Sequence, residues 1–111
     1  MIIDSANLTA NGSSNGGIIT NPNNGATPFQ TVYASGTFGG GTLTVQISND
    51  NGSTWFAATD SAGSVAFTAN GAATLYLLGS GDNIAVNQIK VRGTLAGSTS
   101  PDINLTIADC R

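Results

Sequence analysis

From Phe29 to Ala108 the apolar residues recur at every second position. Within Phe29–Phe38, Val32, Ala34, Gly36 and Phe38 share one face. In Thr42–Ser48, Leu43, Val45 and Ile47 point one way, and Thr42, Thr44, Gln46 and Ser48 the other. A period of two is the mark of a half-buried strand. The joining Gly39-Gly40-Gly41-Thr42 reads as a four-residue hairpin loop, which sets Phe38 opposite Leu43, Gly36 opposite Val45 and Ala34 opposite Ile47. A three-residue loop would mix the faces, because a slip of one residue inverts every side chain. The same test on Ser64–Leu78 selects a three-residue loop, Ala69-Asn70-Gly71. It pairs Val65 with Leu75 and Phe67 with Ala73, with Gly71 in the left-handed position. Ile84–Leu95 changes phase between Ile84 and Val86 on one parity and Ile89, Val91 and Leu95 on the other. A β-bulge near Asn87-Gln88 reconciles them and turns Lys90 and Arg92 outward together. The last strand, Ile103–Ala108, turns Ile103, Leu105 and Ile107 inward.

With Trp55–Thr59 and one or two N-terminal pieces, seven or eight short strands are expected, and no segment has helical periodicity. The fold class is therefore all-β: a single small antiparallel β-sandwich, jelly-roll or immunoglobulin-like in its connections. Residues 1–28 differ. They are rich in Asn and Gly, and their apolar residues are few: Ile2, Ile3, Leu8, Ile18 and Ile19. Such a stretch buries little, so it reads as an irregular N-terminal arm ahead of a sandwich domain at 29–111.

Composition removes most chemistry. The 111 residues include no His and no Glu, one Cys, six Asp and three cations, with a net charge of −3. A Ser-His-Asp or Cys-His catalytic arrangement and a His-rich metal site are excluded. Only an Asp-pair hydrolase remains on paper. Three basic residues cannot supply the phosphate contacts on which nucleic-acid affinity rests. No apolar run approaches a membrane span, and Met1-Ile2-Ile3-Asp4 lacks the basic start of a secretory leader. Cys110 has no second cysteine to pair with inside the chain. No enzyme activity and no cofactor are expected.

The sharpest local signal is Ser48-Asn49-Asp50-Asn51-Gly52-Ser53-Thr54-Trp55. It matches S-x-D-x-G-x-T-W and resembles the Asp-box turn of sialidase-type propellers. In such a turn the Asp accepts bonds from following N–H groups, Gly takes the positive-φ position, and Trp packs beneath. One copy cannot make a propeller, whose blades each need about 40–50 residues. Ser48, Asp50, Gly52, Thr54 and Trp55 are therefore expected to form a structural turn, with Trp55 in the core. An EF-hand reading fails, because alignment on Gly52 puts Ile47 and Ala58 at ligand positions. An irregular cation site would draw on Asp50 and Asp60. Tyr33 and Tyr76, with Phe56 near Trp55, offer a sugar-stacking platform as the rival use.

Taken together, ASGTFGGGTLTVQISNDNGSTW and IKVRGTLAGSTSPDINLTI resemble the small β-rich proteins of tailed-phage structural clusters. Gly36-Thr37-Phe38, Ser48 to Trp55, Val91-Arg92 and Ser98 to Pro101 carry that resemblance over about two-thirds of the chain. It implies a capsid decoration (cement) protein on the outer surface of the head. Its partners would be the major capsid protein and copies of itself in a homotrimer. On this reading Ile2, Ile3, Leu8, Ile18 and Ile19 are the candidate partner anchors, carried by the arm. Deleting residues 1–20 should then abolish particle binding and leave the sandwich folded. The alternative is a glycan-binding module or a structural component of a phage tail or fibre.

Overall fold

The computed structural model describes residues 2–20, 29–48, 50–60, 63–76 and 88–109. Their strands, in chain order, are β1 (Ile2–Leu8), β2 (Gly12–Ser13), β3 (Gly17–Thr20), β4 (Phe29–Thr37), β5 (Thr42–Ser48) and β6 (Phe56–Ala57). They continue with β7 (Thr59–Asp60), β8 (Gly63–Ser64), β9 (Ala66–Phe67), β10 (Gly71–Tyr76), β11 (Gln88–Ala96) and β12 (Asp102–Asp109). One sheet runs β1-β12-β4-β10. The other runs β2-β11-β5-β6, with β3 also on β11 and β9 also on β5, while β7 and β8 form a separate two-stranded ribbon. Every pairing is antiparallel. The protein is the small all-β sandwich that the alternation predicts.

The core lies between the sheets. Val32 and Ala34 of β4, Leu75 of β10, and Ile103, Leu105 and Ile107 of β12 line one side. Leu43, Val45 and Ile47 of β5, Val91 and Leu95 of β11, and Phe67 of β9 line the other. These are the residues the period of two turned inward. The pairing of the strands is different from the expected hairpins. β4 lies between β12 and β10, whereas β5 lies between β11 and the short β6 and β9. The chain therefore crosses from one sheet to the other at Phe38–Gly41, where the Gly41 amide donates to the Phe38 carbonyl at 3.1 Å. The second expected hairpin is also a crossing, since β9 pairs with β5 and β10 with β4. Gly71 consequently has no left-handed φ, and Gly36 is exposed rather than inward. The physical reason is plain. Two apolar faces become buried equally well side by side or across a core, and alternation alone does not distinguish the two.

The expected arm is corrected as well. β1 pairs with β12 from Ile2↔Ala108 to Leu8↔Ile103, with an irregularity between Ile2 and Asp4. β2 and β3 pair with β11. Residues 2–20 thus form an outer strand of each sheet, and Leu8 enters the core. A buried clip joins the two sheets. The Ser14 hydroxyl donates to the Asp4 carboxylate at 2.6 Å and accepts from the Gly93 amide at 3.0 Å. The Ser14 amide donates to the Gly93 carbonyl at 2.9 Å. An outer strand needs backbone partners more than side-chain alternation, so its sparse apolar residues did not disclose it. Residues 21–28, and Ile84 to Asn87 with the expected bulge, lie outside the described residues, as does Cys110.

Candidate functional site

The motif at 48–55 forms the hydrogen-bonded turn its residue types call for. Ser48 ends β5 and is buried. Its hydroxyl donates to the Asp50 carboxylate at 2.6 Å and accepts from the Gly52 amide at 2.8 Å. The Asp50 carboxylate also accepts from the Thr54 amide at 2.8 Å. Asn51 and Gly52 both take positive φ, 61° and 94°, the conformations that Asn and Gly tolerate best. Ser48, Asp50, Gly52 and Thr54 therefore act as one unit, in which each polar group closes the turn onto the next.

Trp55 departs from expectation. It is half-buried and is not among the core residues. The Arg92 guanidinium stacks on its ring, with Cζ 4.0 Å from the centroid, a cation–π contact. Arg92 lies opposite Gln46 in the β11–β5 ladder, and its Nε donates to Gln46 Oε1 at 2.9 Å. Since Val91 and Ile47 point into the core, Arg92, Gln46 and Trp55 occupy the outer face of the six-stranded sheet. Partial burial there pulls the Arg92 guanidinium below its ordinary pKa. Lys90 lies two residues before Arg92 on the same face, opposite Ser48. The sequence showed that both cations point outward. It gave no signal that Arg92 would meet Trp55.

Neither Phe56 nor Tyr33 joins this cluster. Phe56 pairs with the inward-pointing Ile47, so its ring lies on the other side of the sheet from Trp55, and it is 56% exposed. Tyr33 stands on the outer face of the four-stranded sheet, opposite Thr106. The side chain of Tyr76 lies outside the described residues. The expected sugar platform is thus dispersed over three surfaces, at least for Tyr33, Phe56 and Trp55.

The five candidate anchors separate in the same way. Ile2 and Ile18 are exposed, whereas Ile3 packs against the core and Leu8 belongs to it. The Ile19 side chain lies outside the described residues. β1 and β3 meet where the Ile3 carbonyl lies against Gly17, so Ile2 and Ile18 flank one corner of the sandwich.

Asp50 carries a pH signature. The Ser48 hydroxyl, followed by the Thr54 amide, stabilises its ionised form and lowers its pKa from 3.8 to about 2. A carboxylate with a depressed pKa stabilises the fold fully above its unfolded value and loses that effect as pH falls towards the folded one. Wild type should therefore melt above Asp50→Asn at neutral pH, with the gap closing between pH 3.8 and about 2. Parallel melts followed by Trp55 fluorescence check this. A gap that persists unchanged to pH 2 would remove the carboxylate from the account.

Among the described residues no three His, Cys, Asp or Glu side chains come together as a metal-holding group. The side chain of Asp60 lies outside those residues. A shallow open depression lies between the 38–41 crossing and Thr68–Asn70, lined by Gly36, Phe38, Gly39, Gly40, Thr68, Ala69 and Asn70. It contains no titratable group. No family model matches this chain, and no curated protein or solved structure shows significant similarity to it.

Proposed function

We propose that this chain is a non-enzymatic structural protein of a virion, a decoration protein that binds the outer surface of a phage head as a trimer and stabilises it. The observation that carries the reading is the nature of its outer surfaces. The outer face of the four-stranded sheet carries rows of hydrogen-bonding side chains: Ser5 beside Thr106 beside Tyr33, and Asn7 beside Asn104 beside Ser35. Asn7 Nδ2 donates to Asp102 Oδ1 at 2.8 Å and to Asn104 Oδ1 at 3.2 Å, which holds that surface in one arrangement. A wide, ordered polar face suits a broad contact that gains strength by repetition on a lattice. The motif resemblance at Gly36-Thr37-Phe38, Ser48 to Trp55 and Ser98 to Pro101 supports the same reading. The corner at Ile2 and Ile18 supplies exposed apolar side chains next to an outer strand.

Two measurements test the proposal. Light scattering on the purified chain should give a mass near three times 11.1 kDa, as a closed ring at a three-fold site requires. The chain should also co-sediment with heads of the encoding phage grown without it. A monomer that fails to co-sediment and instead binds a neutral glycan array would replace this reading with the carbohydrate-binding one.

A further inference from the structure

The chain carries twice as many acidic as basic residues, yet Lys90 and Arg92 stand on one face of one strand. Among the described residues, no carboxylate forms an ion pair with either cation. The Asp50 carboxylate, in the turn that follows β5, is engaged by Ser48 and Thr54. We infer that the outer face of the six-stranded sheet, centred on the Trp55–Arg92 stack with Lys90 beside it, grips an acidic surface of a protein partner. This deepens the decoration reading and rests on it, because it names which sheet meets the partner and by what chemistry.

Three features support an acidic protein surface as the occupant. First, Arg92 is already ordered. Gln46 holds its Nε and Trp55 covers one side of the guanidinium plane, which leaves the two terminal nitrogens to receive a carboxylate. Ordering a long side chain before contact removes part of the entropy cost of binding. Second, Lys90 and Arg92 are separated by two residues along a strand, about 7 Å, a spacing that suits two neighbouring carboxylates. Third, one face of the Trp55 ring is occupied by Arg92, and Tyr33 and Phe56 lie on other surfaces. The patch therefore offers charge rather than the open aromatic faces on which a sugar ring stacks. An Arg and a Trp together at a partly desolvated position are also the residue types in which interface energy concentrates.

The test uses the full chain and surfaces of stated composition: immobilised poly-L-glutamate, a sialylated glycan and a neutral poly-glutamine control. Wild type should be retained on poly-L-glutamate at low salt and released as the screening length falls to about 8 Å near physiological ionic strength. Lys90→Gln and Arg92→Gln should each weaken retention about 5-fold or more, consistent with charge pairs at a partly desolvated face. Thr74→Ala, at an exposed position of β10 in the other sheet, should leave retention unchanged. Lys90→Gln keeps the test valid if loss of Arg92 loosens the turn, because it removes the charge and retains most of the aliphatic stem that lies beside Gly52. The inference is overturned if wild type ignores poly-L-glutamate, if Thr74→Ala weakens retention equally, or if only the sialylated surface retains the chain. Failure here with intact co-sedimentation on heads removes this face and leaves the decoration reading. Retention here without co-sedimentation removes the decoration reading.

Discussion

Removing residues 1–20 should abolish cooperative folding rather than release a free sandwich. The deletion takes away the whole of β1, which pairs with β12 through Leu8↔Ile103, and both short strands that pair with β11. It removes Leu8 from the core, and loss of a buried leucine side chain alone costs roughly 2–5 kcal/mol. It also removes Ser14, which leaves the buried Gly93 amide without its acceptor, at a further cost of about 1–3 kcal/mol. With the lost ladders added, the sum reaches the roughly 5–15 kcal/mol that holds a domain of this size together. Thermal unfolding followed by circular dichroism reads the result directly. A truncated chain that melts within a few degrees of wild type would restore the arm. Ser14→Ala is the graded companion, since it removes the clip and keeps every strand. Its unfolding free energy in urea should fall by about 1–3 kcal/mol, since the Asp4 carboxylate and the Gly93 amide both lose the hydroxyl.

The second large effect is expected at Gly36. Its φ is +129°, a region that side chains other than glycine avoid, and an added Cβ would run into the backbone carbonyl of Asp102. Its amide also donates to Asn70 Oδ1 at 2.8 Å, so the backbone there is fixed from two directions. Gly36→Ala must either strain β4 or push β12 away where Gly36 faces Ile103. A loss of roughly 3 kcal/mol or more is expected. Gly40→Ala is the control. Gly40 also has positive φ, +81°, but an added Cβ there meets nothing within 4 Å. It should cost only about 1–2 kcal/mol, the ordinary penalty for a left-handed residue. Chemical denaturation of the pair separates collision from backbone preference. Equal losses would show that the contact with Asp102 has no weight.

The turn at 48–55 was largely legible in the sequence because its bonds are local. Ser48, Asp50, Gly52 and Thr54 lie within a span of seven residues, so their spacing alone brings donor and acceptor together. Trp55 was misplaced for the opposite reason. Its partner Arg92 is distant in the chain, and only the β5–β11 register sets Gln46, Arg92 and the indole on one surface. The five candidate anchors illustrate the same divide. As a list they look like anchors without a home, yet Leu8 lies in the core, Ile3 packs against it, and Ile2 and Ile18 remain outside.

By itself the sequence determined the fold class, most of the inward and outward positions from Phe29 onward and the absence of His- or Glu-based chemistry. Each of these depends on residue type and on a period of two, both of which are local properties. Only the tertiary structure decided which strand lies beside which. It turned two apparent hairpins into crossings between sheets, made residues 2–20 outer strands of both sheets, and placed Lys90 and Arg92 beside Trp55. Those outcomes depend on which of several equivalent apolar faces meet across the core, a choice that belongs to the packing of the whole chain.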